Sequence, residues 1–206
     1  MCSSDLDIAA GLARVETLFE QQLSSDFPAV NDLCRHVERY RGKMLRPTLV
    51  IVTGLAFTRD GEALRPEHDI IAATVEMIHM ATLVHDDLVD GARVRRGAPA
   101  AWSVFGAQAA LGAGDYLFSC AFAELAATGD ANAVATLAEA SLALARGEAM
   151  QRLQVRQPDT TVDAYLERCA LKTGKLFEAA CLLGSGGNRD LGAYGDRRST
   201  RLNSSH

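Results

Sequence analysis

IIAATVEMIHMATLVHDDLVDGARVRRGAP, residues 70–99, decides how the chain is read. An apolar stretch at helical spacing ends in three acids, Asp86, Asp87 and Asp90. A basic loop with Arg93, Arg95 and Arg96 follows at once. The pattern predicts a helix from about Pro66 to Asp90, stopped by Gly91. Proline suits a first helical turn, because the N–H it lacks would be unpaired there anyway. Asp86 and Asp90 are one turn apart on one face, and Asp87 lies about 100° further round. These like charges repel, and they sit at the negative end of the helix dipole. The cluster therefore needs positive charge to offset it. Two sources remain open: salt bridges from Arg93, Arg95 or Arg96 at a solvated helix end, or a hard divalent cation. Carboxylate oxygens suit Mg²⁺, which keeps several waters and bridges to phosphate oxygens. A cation site beside arginine forks is the constellation that holds a diphosphate.

Working outward, residues 8–23 carry Ile8, Leu12, Val15, Leu18, Phe19 and Leu23 at helical spacing. A second helix is predicted over 30–41, ending at Gly42, and a third from Pro47 to about Phe57. Lys43 and Arg46 form a basic pair just before that third helix. Free N–H groups at a helix start bind phosphate, although surface charge near a loop reads the same way. His79 stands two turns before Asp86 on roughly the same face, as a ligand or as a satisfied core group. Downstream, residues 102–127 read as helical with a break at Gly112–Gly114 and Asp115 as a cap. Further helices are predicted over 132–154 and 162–184. No run alternates like a strand, and no internal repeat is visible. The sum is an all-α bundle of about seven helices.

The composition agrees. Among 206 residues, 48% are hydrophobic and only 6% aromatic, with alanine and leucine dominant. A net charge of −5 argues against a nucleic-acid binder. No apolar run reaches the roughly 18 residues of a membrane span, and no signal peptide is visible. The five cysteines, Cys2, Cys34, Cys120, Cys169 and Cys181, show no metal-ligand spacing. They read as reduced thiols of a cytoplasmic protein. Residues 7–190 are expected to form one domain and 191–206 a disordered or non-native tail. MCSSDL at the start and RSTRLNSSH at the end read as adaptor-derived ends of a partial gene fragment.

Several segments together resemble the trans-isoprenyl diphosphate synthases, or polyprenyl synthetases. GKMLRP (42–47) is similar to the family's GKxxRP, and residues 76–99 to its EMIHxASLVHDDxxDxxxxRRGxP. FGAQAALGAGDYLF, GEAMQ (147–151) and KTGKLFEAAC (172–181) match its later segments in order. The resemblance implies an isoprenoid-synthase-type helical bundle with its site in the central cavity. It implies Mg²⁺-dependent head-to-tail transfer of an allylic prenyl diphosphate onto isopentenyl diphosphate, in a homodimer. Asp86 and Asp90 would bind the Mg²⁺ that holds the allylic diphosphate, supported by Asp87. Arg95, Lys172 and Thr173 would contact that diphosphate. Lys43, Arg46, His79 and Arg96 would bind isopentenyl diphosphate, with Gly42 shaping the turn, and Gln151 would point into the cavity.

The family's second aspartate-rich segment, FQxxDDxxD, is not present in these 206 residues. The bundle is therefore expected to be partial, lacking C-terminal helices, and the chain as given to be inactive or nearly so. Small residues before the acids, Ala81 and Thr82 with flexible Met80, resemble medium- to long-chain synthases. Two rivals stay open: a non-catalytic subunit of a heteromeric prenyl diphosphate synthase, and a terpene cyclase. DDLVD and RRG speak against the first. GKMLRP speaks against the second, since a cyclase binds no second diphosphate.

Overall fold

The computed structural model describes residues 3–25, 28–58, 64–155 and 157–203. The central element is α4, Pro66–Asp90, with the bounds the sequence predicts. Pro66 opens it and Gly91 closes it in the left-handed region, at φ 66°. The N–H of Ala92 returns to the Asp87 carbonyl at 2.9 Å, which satisfies a carbonyl the helix end would leave unpaired. Val75, Met77, Ile78 and Met80 are fully buried. Each such side chain contributes about 1.5–3 kcal/mol, and Ile78→Ala would remove about 2–5 kcal/mol.

Helices surround α4. They are α1 (Ser3–Gln22), α2 (Pro28–Glu38), α3 (Leu45–Phe57), α5 (Ala101–Phe105), α6 (Ala107–Ala127) and α7 (Ala131–Gln154), followed by α8 (Val162–Cys169), α9 (Lys175–Gly184) and α10 (Arg189–Asn203). The helix α4 packs most extensively on α6, then on α3, α1 and α9, and α7 packs on α9. The core gathers Val15 and Phe19 of α1, Val50 and Ile51 of α3, Leu117 of α6, Leu137 of α7 and Leu176 of α9 around it. The chain is all-α, as expected. Among the described residues no helix is long and apolar enough to cross a membrane. Cys34, Cys120, Cys169 and Cys181 are free thiols; Cys2 lies outside the described residues, as do residues 1 and 204–206 of the ends expected to be adaptor-derived.

Three local features depart from the sequence reading. The basic loop is a minimal hairpin, β1 (Val94–Arg95) and β2 (Ala98–Pro99), in the register Val94↔Pro99 and Arg95↔Ala98. Its two turn residues, Arg96 (φ 50°) and Gly97 (φ 81°), are both left-handed, the turn that matches strand twist. The break in the next helical stretch falls at Gly106 (φ 89°), not at Gly112–Gly114, so Asp115 is inside α6 rather than a cap. The predicted 162–184 helix is interrupted by a π-helical turn, Ala170–Gly174. Beyond residue 190 the backbone continues as α10 to Asn203. Gly195 sits close against α9, where a Cβ would lie 2.6 Å from the Phe177 carbonyl.

Candidate functional site

A cavity of about 470 Å³ lies among α3, α4, α6, α7, the π turn and α9. Leu83, Phe118, Leu144 and Leu176 give it hydrocarbon walls, and Arg46, His79, Asp86, Glu148, Lys172 and Thr173 give it charge and polarity. Five of the residues singled out from sequence therefore meet in one space: Arg46, His79, Asp86, Lys172 and Thr173.

The end of α4 aims its three acids in different directions. Asp86 faces the cavity, where Lys172 Nζ stands 3.3 Å from its Oδ2. Burial pushes the Asp86 carboxyl up from its ordinary range, and Lys172 pulls it back, while Glu148 and Asp90 add to the rise. Asp87 is 1% exposed. Its Oδ1 accepts from Arg95 Nε at 2.9 Å and also from Arg95 Nη2, while its buried Oδ2 has no hydrogen-bond partner. Asp90, more exposed, accepts from Arg152 Nη2 at 2.6 Å. Each acid thus has its own protein cation. Of the arginines weighed for this role only Arg95 is used; the other two partners come from α7 and the π turn.

The opposite side is basic. Arg46 stacks its guanidinium over the Phe177 ring at 4.4 Å, and its buried Nε has no acceptor. Desolvation brings Arg46 down to about 10, with Glu76 opposing and Arg96 assisting that fall. Burial, and then Arg46, Arg96 and Arg95, push His79 well below its usual value, so it stays neutral. Arg96 is exposed, and its Nη1 donates to the Tyr40 carbonyl. Gly42 makes room for it: a Cβ there would lie 2.8 Å from Arg96 Cζ. Lys43 is exposed and is not among the cavity-lining residues. Gln151 reaches the site through Lys172, accepting from Nζ at 3.3 Å.

The π turn positions Lys172 and Thr173 by the local widening that often marks functional sites. Gly147 of α7 allows its approach, since a Cβ would lie 2.8 Å from Lys172 Cα. Of the small residues before the acids, Thr82 lines the cavity; Ala81 and Met80 are buried in the core instead.

Three residues had been overlooked. Glu76 is buried at 3%, its carboxyl pushed up by burial against the pull of Arg46, Arg96 and Arg41. As the one acid in residues 70–85 it was visible. Glu148 accepts from Lys172 Nζ at 2.5 Å and Arg152 Nε at 2.8 Å. Burial raises its carboxyl, but those two cations outweigh it and hold it low. Glu148 lies within the GEAMQ segment but carries no local sign of a role, and nothing local marks Arg152. Among the described residues no three His, Cys, Asp or Glu side chains converge on a single metal position.

The all-α bundle, with an acidic helix end facing a largely apolar cavity, has the isoprenoid-synthase fold of its structural neighbours. The chain belongs to the Polyprenyl synthetase family, whose sequence profile matches residues 27–189. It is 36% identical over 172 residues to an octaprenyl diphosphate synthase of Escherichia coli, covering 84% of this chain and 52% of that protein. A heptaprenyl diphosphate synthase component 2 of Geobacillus stearothermophilus is 34% identical over 174 residues, 84% of this chain and 53% of its own. The chain spans about half the length of the curated relatives it matches. A solved decaprenyl diphosphate synthase from Rhodobacter capsulatus superposes with a TM-score of 0.89 at 35% identity, over 97% of this chain and 63% of that one. A polyprenyl synthase from Caulobacter crescentus, complexed with calcium and isoprenyl diphosphate, superposes at 0.86 and 32% identity, over 97% and 62%.

Proposed function

We propose that this chain is part of a prenyltransferase that adds isopentenyl diphosphate head-to-tail to an allylic prenyl diphosphate, yielding polyprenyl diphosphates, and that it carries binding groups for both diphosphates. The observation that carries this reading is one cavity walled by hydrocarbon yet lined by Asp86, Lys172 and Arg46, whose buried Nε has no acceptor. Its volume, about 470 Å³, suits a small amphiphile with an anionic head. The Caulobacter crescentus neighbour, complexed with calcium and isoprenyl diphosphate, supports the same ligand class.

The donors fit a divalent cation. Asp86 and Asp90 are hard carboxylates one turn apart, and Asp87 keeps one buried oxygen without a partner. Two carboxylates suffice for Mg²⁺, which retains water and phosphate ligands. In the proposal Asp86 and Asp90 hold Mg²⁺, with Asp87 fixing the helix end. When bound, Mg²⁺ supplies charge neutralisation to the departing diphosphate. Arg46, Lys172, Thr173 and the neutral N–H of His79 offer further donors to phosphate oxygens, and Arg95, Arg96 and Lys43 add positive field. The allylic C–O bond breaks and its electron pair leaves with diphosphate. The double bond of isopentenyl diphosphate attacks the allylic cation, and a proton is lost to the released diphosphate. Leu83, Phe118, Leu144 and Leu176 keep water from that cation.

Thr82, small and cavity-lining, favours medium- to long-chain products. The exposed Val104, Phe105 and Leu111 of α5 and α6 support self-association into a homodimer, and four free thiols fit a cytoplasmic setting. With one aspartate-rich wall, residues 1–206 alone are expected to turn over little or nothing. Calorimetry tests the reading: allylic diphosphate binds only with Mg²⁺, isopentenyl diphosphate binds separately, and Asp86→Asn weakens the first. A chain that binds allylic diphosphate but never isopentenyl diphosphate is a cyclase, and the proposal is then abandoned.

A further inference from the structure

Three charged groups, Lys172, Arg152 and the single acid Glu148, close a loop with Asp86 and Asp90. Lys172 Nζ lies 3.3 Å from Asp86 and 2.5 Å from Glu148. Arg152 Nη2 lies 2.6 Å from Asp90 and 2.8 Å from the same Glu148. Asp86 and Asp90 share a face of α4, so the circuit runs Asp86–Lys172–Glu148–Arg152–Asp90 and returns through the helix. It holds three carboxylates against two cations. Lys172 also has a neutral acceptor in Gln151 at 3.3 Å.

We propose that Arg152 and Glu148 are positioning residues of the cation site: Arg152 is an internal counterion that occupies Asp90 until a divalent cation displaces it onto Glu148. The inference rests on the reading of Asp86 and Asp90 as divalent-cation ligands. It adds what happens to the cations already there. Lys172 and Arg152 each bond a single oxygen, of Asp86 and Asp90 respectively, and a dication joining those two acids repels the ammonium and the guanidinium beside it. That repulsion drives both away, and the acceptor each already touches is Glu148. Moving onto Glu148 costs neither cation its whole partner set, because Arg152 keeps its 2.8 Å contact and Lys172 keeps Glu148 and Gln151. Lys172 is thereby released toward the cavity it lines, where a bound anion would take over its free N–H donors.

The loop also has a use without ligand. Three acids at a helix C-terminus destabilise it, and Lys172 and Arg152 offset two of them from outside the helix. Arg152 stands on the last turn of α7 and reaches across to the last turn of α4. Removing its charge should therefore move two quantities in opposite directions. The ligand-free protein loses stability, and the acidic pair gains affinity for a dication. A purely structural ion pair predicts only the first.

The test uses the whole chain and Mn²⁺, titrated with free aquo-ion followed by EPR, with and without inorganic pyrophosphate. Arg152→Gln should bind Mn²⁺ about three- to tenfold more tightly than the parent, while its metal-free melting temperature falls. Arg152→Lys keeps the charge and should stay within about twofold of the parent. Glu148→Gln takes away the receiving acid and should weaken Mn²⁺ about three- to tenfold. Parent-like or weaker binding by Arg152→Gln overturns the inference, as does an equal gain in Arg152→Lys. If the parent binds and Arg152→Gln binds no tighter, this inference alone fails. If neither binds Mn²⁺, the reading of Asp86 and Asp90 as cation ligands fails, and this one with it.

Discussion

Replacing Arg95 by methionine separates two roles for that residue. Family resemblance assigns Arg95 to a diphosphate; the structure bonds it to Asp87. Asp87 is 1% exposed, takes both Arg95 donors on Oδ1 and has nothing on Oδ2. Arg95→Met therefore strands a carboxylate in a nearly dry position. Breaking a buried pair by removing one partner costs about 3–5 kcal/mol. Arg95 itself is 29% exposed, so water relieves part of this, and the lower end, about 3 kcal/mol, is expected. That is a large share of the roughly 5–15 kcal/mol that holds a domain together. Urea unfolding at pH 7, followed by far-UV circular dichroism, reads it directly. With a slope of about 2–3 kcal/mol per molar, the midpoint should drop by about 1–1.5 M. Adding Asp87→Asn removes the stranded charge and should restore about 1–3 kcal/mol, a coupling only contacting groups show. A loss below about 1 kcal/mol, typical of exposed pairs, would refute the argument that the Asp87–Arg95 pair anchors the helix end.

Three further outcomes are expected. Gly147→Ala sets a Cβ 2.8 Å from Lys172 Cα, where backbone must yield, so it should cost about 1–3 kcal/mol of stability and weaken pyrophosphate binding together. Gly42→Ala meets only the flexible end of Arg96, so calorimetry should show pyrophosphate binding down several-fold while stability changes by less than about 1 kcal/mol. For His79 the sign follows from its depressed value: the unfolded chain takes up a proton near pH 6.5 that the folded chain refuses. Stability should fall as pH drops below about 6.5, by up to about 1.4 kcal/mol per unit, and His79→Gln should remove that part of the slope in paired urea titrations.

What could be read locally was read well. Pro66 and Gly91 mark both ends of α4 because each suits only its own end of a helix, so the bounds needed no tertiary information. The glycines of α6 show the limit of such signals. Gly106 breaks the helix because its φ of 89° demands it, whereas Gly114 is helical and instead gives the His85 ring its space. Sequence alone does not distinguish a breaker from a spacer. The π turn was equally hidden, since its residues have ordinary helical character and the extra residue is accommodated by packing on Gly147. At the site, Asp86, Asp90 and Arg46 stood out through spacing and charge. Their partners did not, because Arg152 lies 62 residues from Asp90 and Lys172 lies 24 from Glu148. Only the fold brings them together, and Glu148 can be recognised only once both cations are seen on it.

The central claim concerns where a dication and a phosphate sit. Crystals of the chain grown with Mn²⁺ and an allylic thiolodiphosphate, measured for anomalous scattering, address it directly. The account predicts a manganese peak about 2.0–2.4 Å from carboxylate oxygens of Asp86 and Asp90, with a phosphate oxygen on Lys172 and the hydrocarbon tail among Leu83, Phe118 and Leu144. A peak elsewhere, or an occupied cavity with Asp86 and Asp90 still bonded to Lys172 and Arg152, would contradict it.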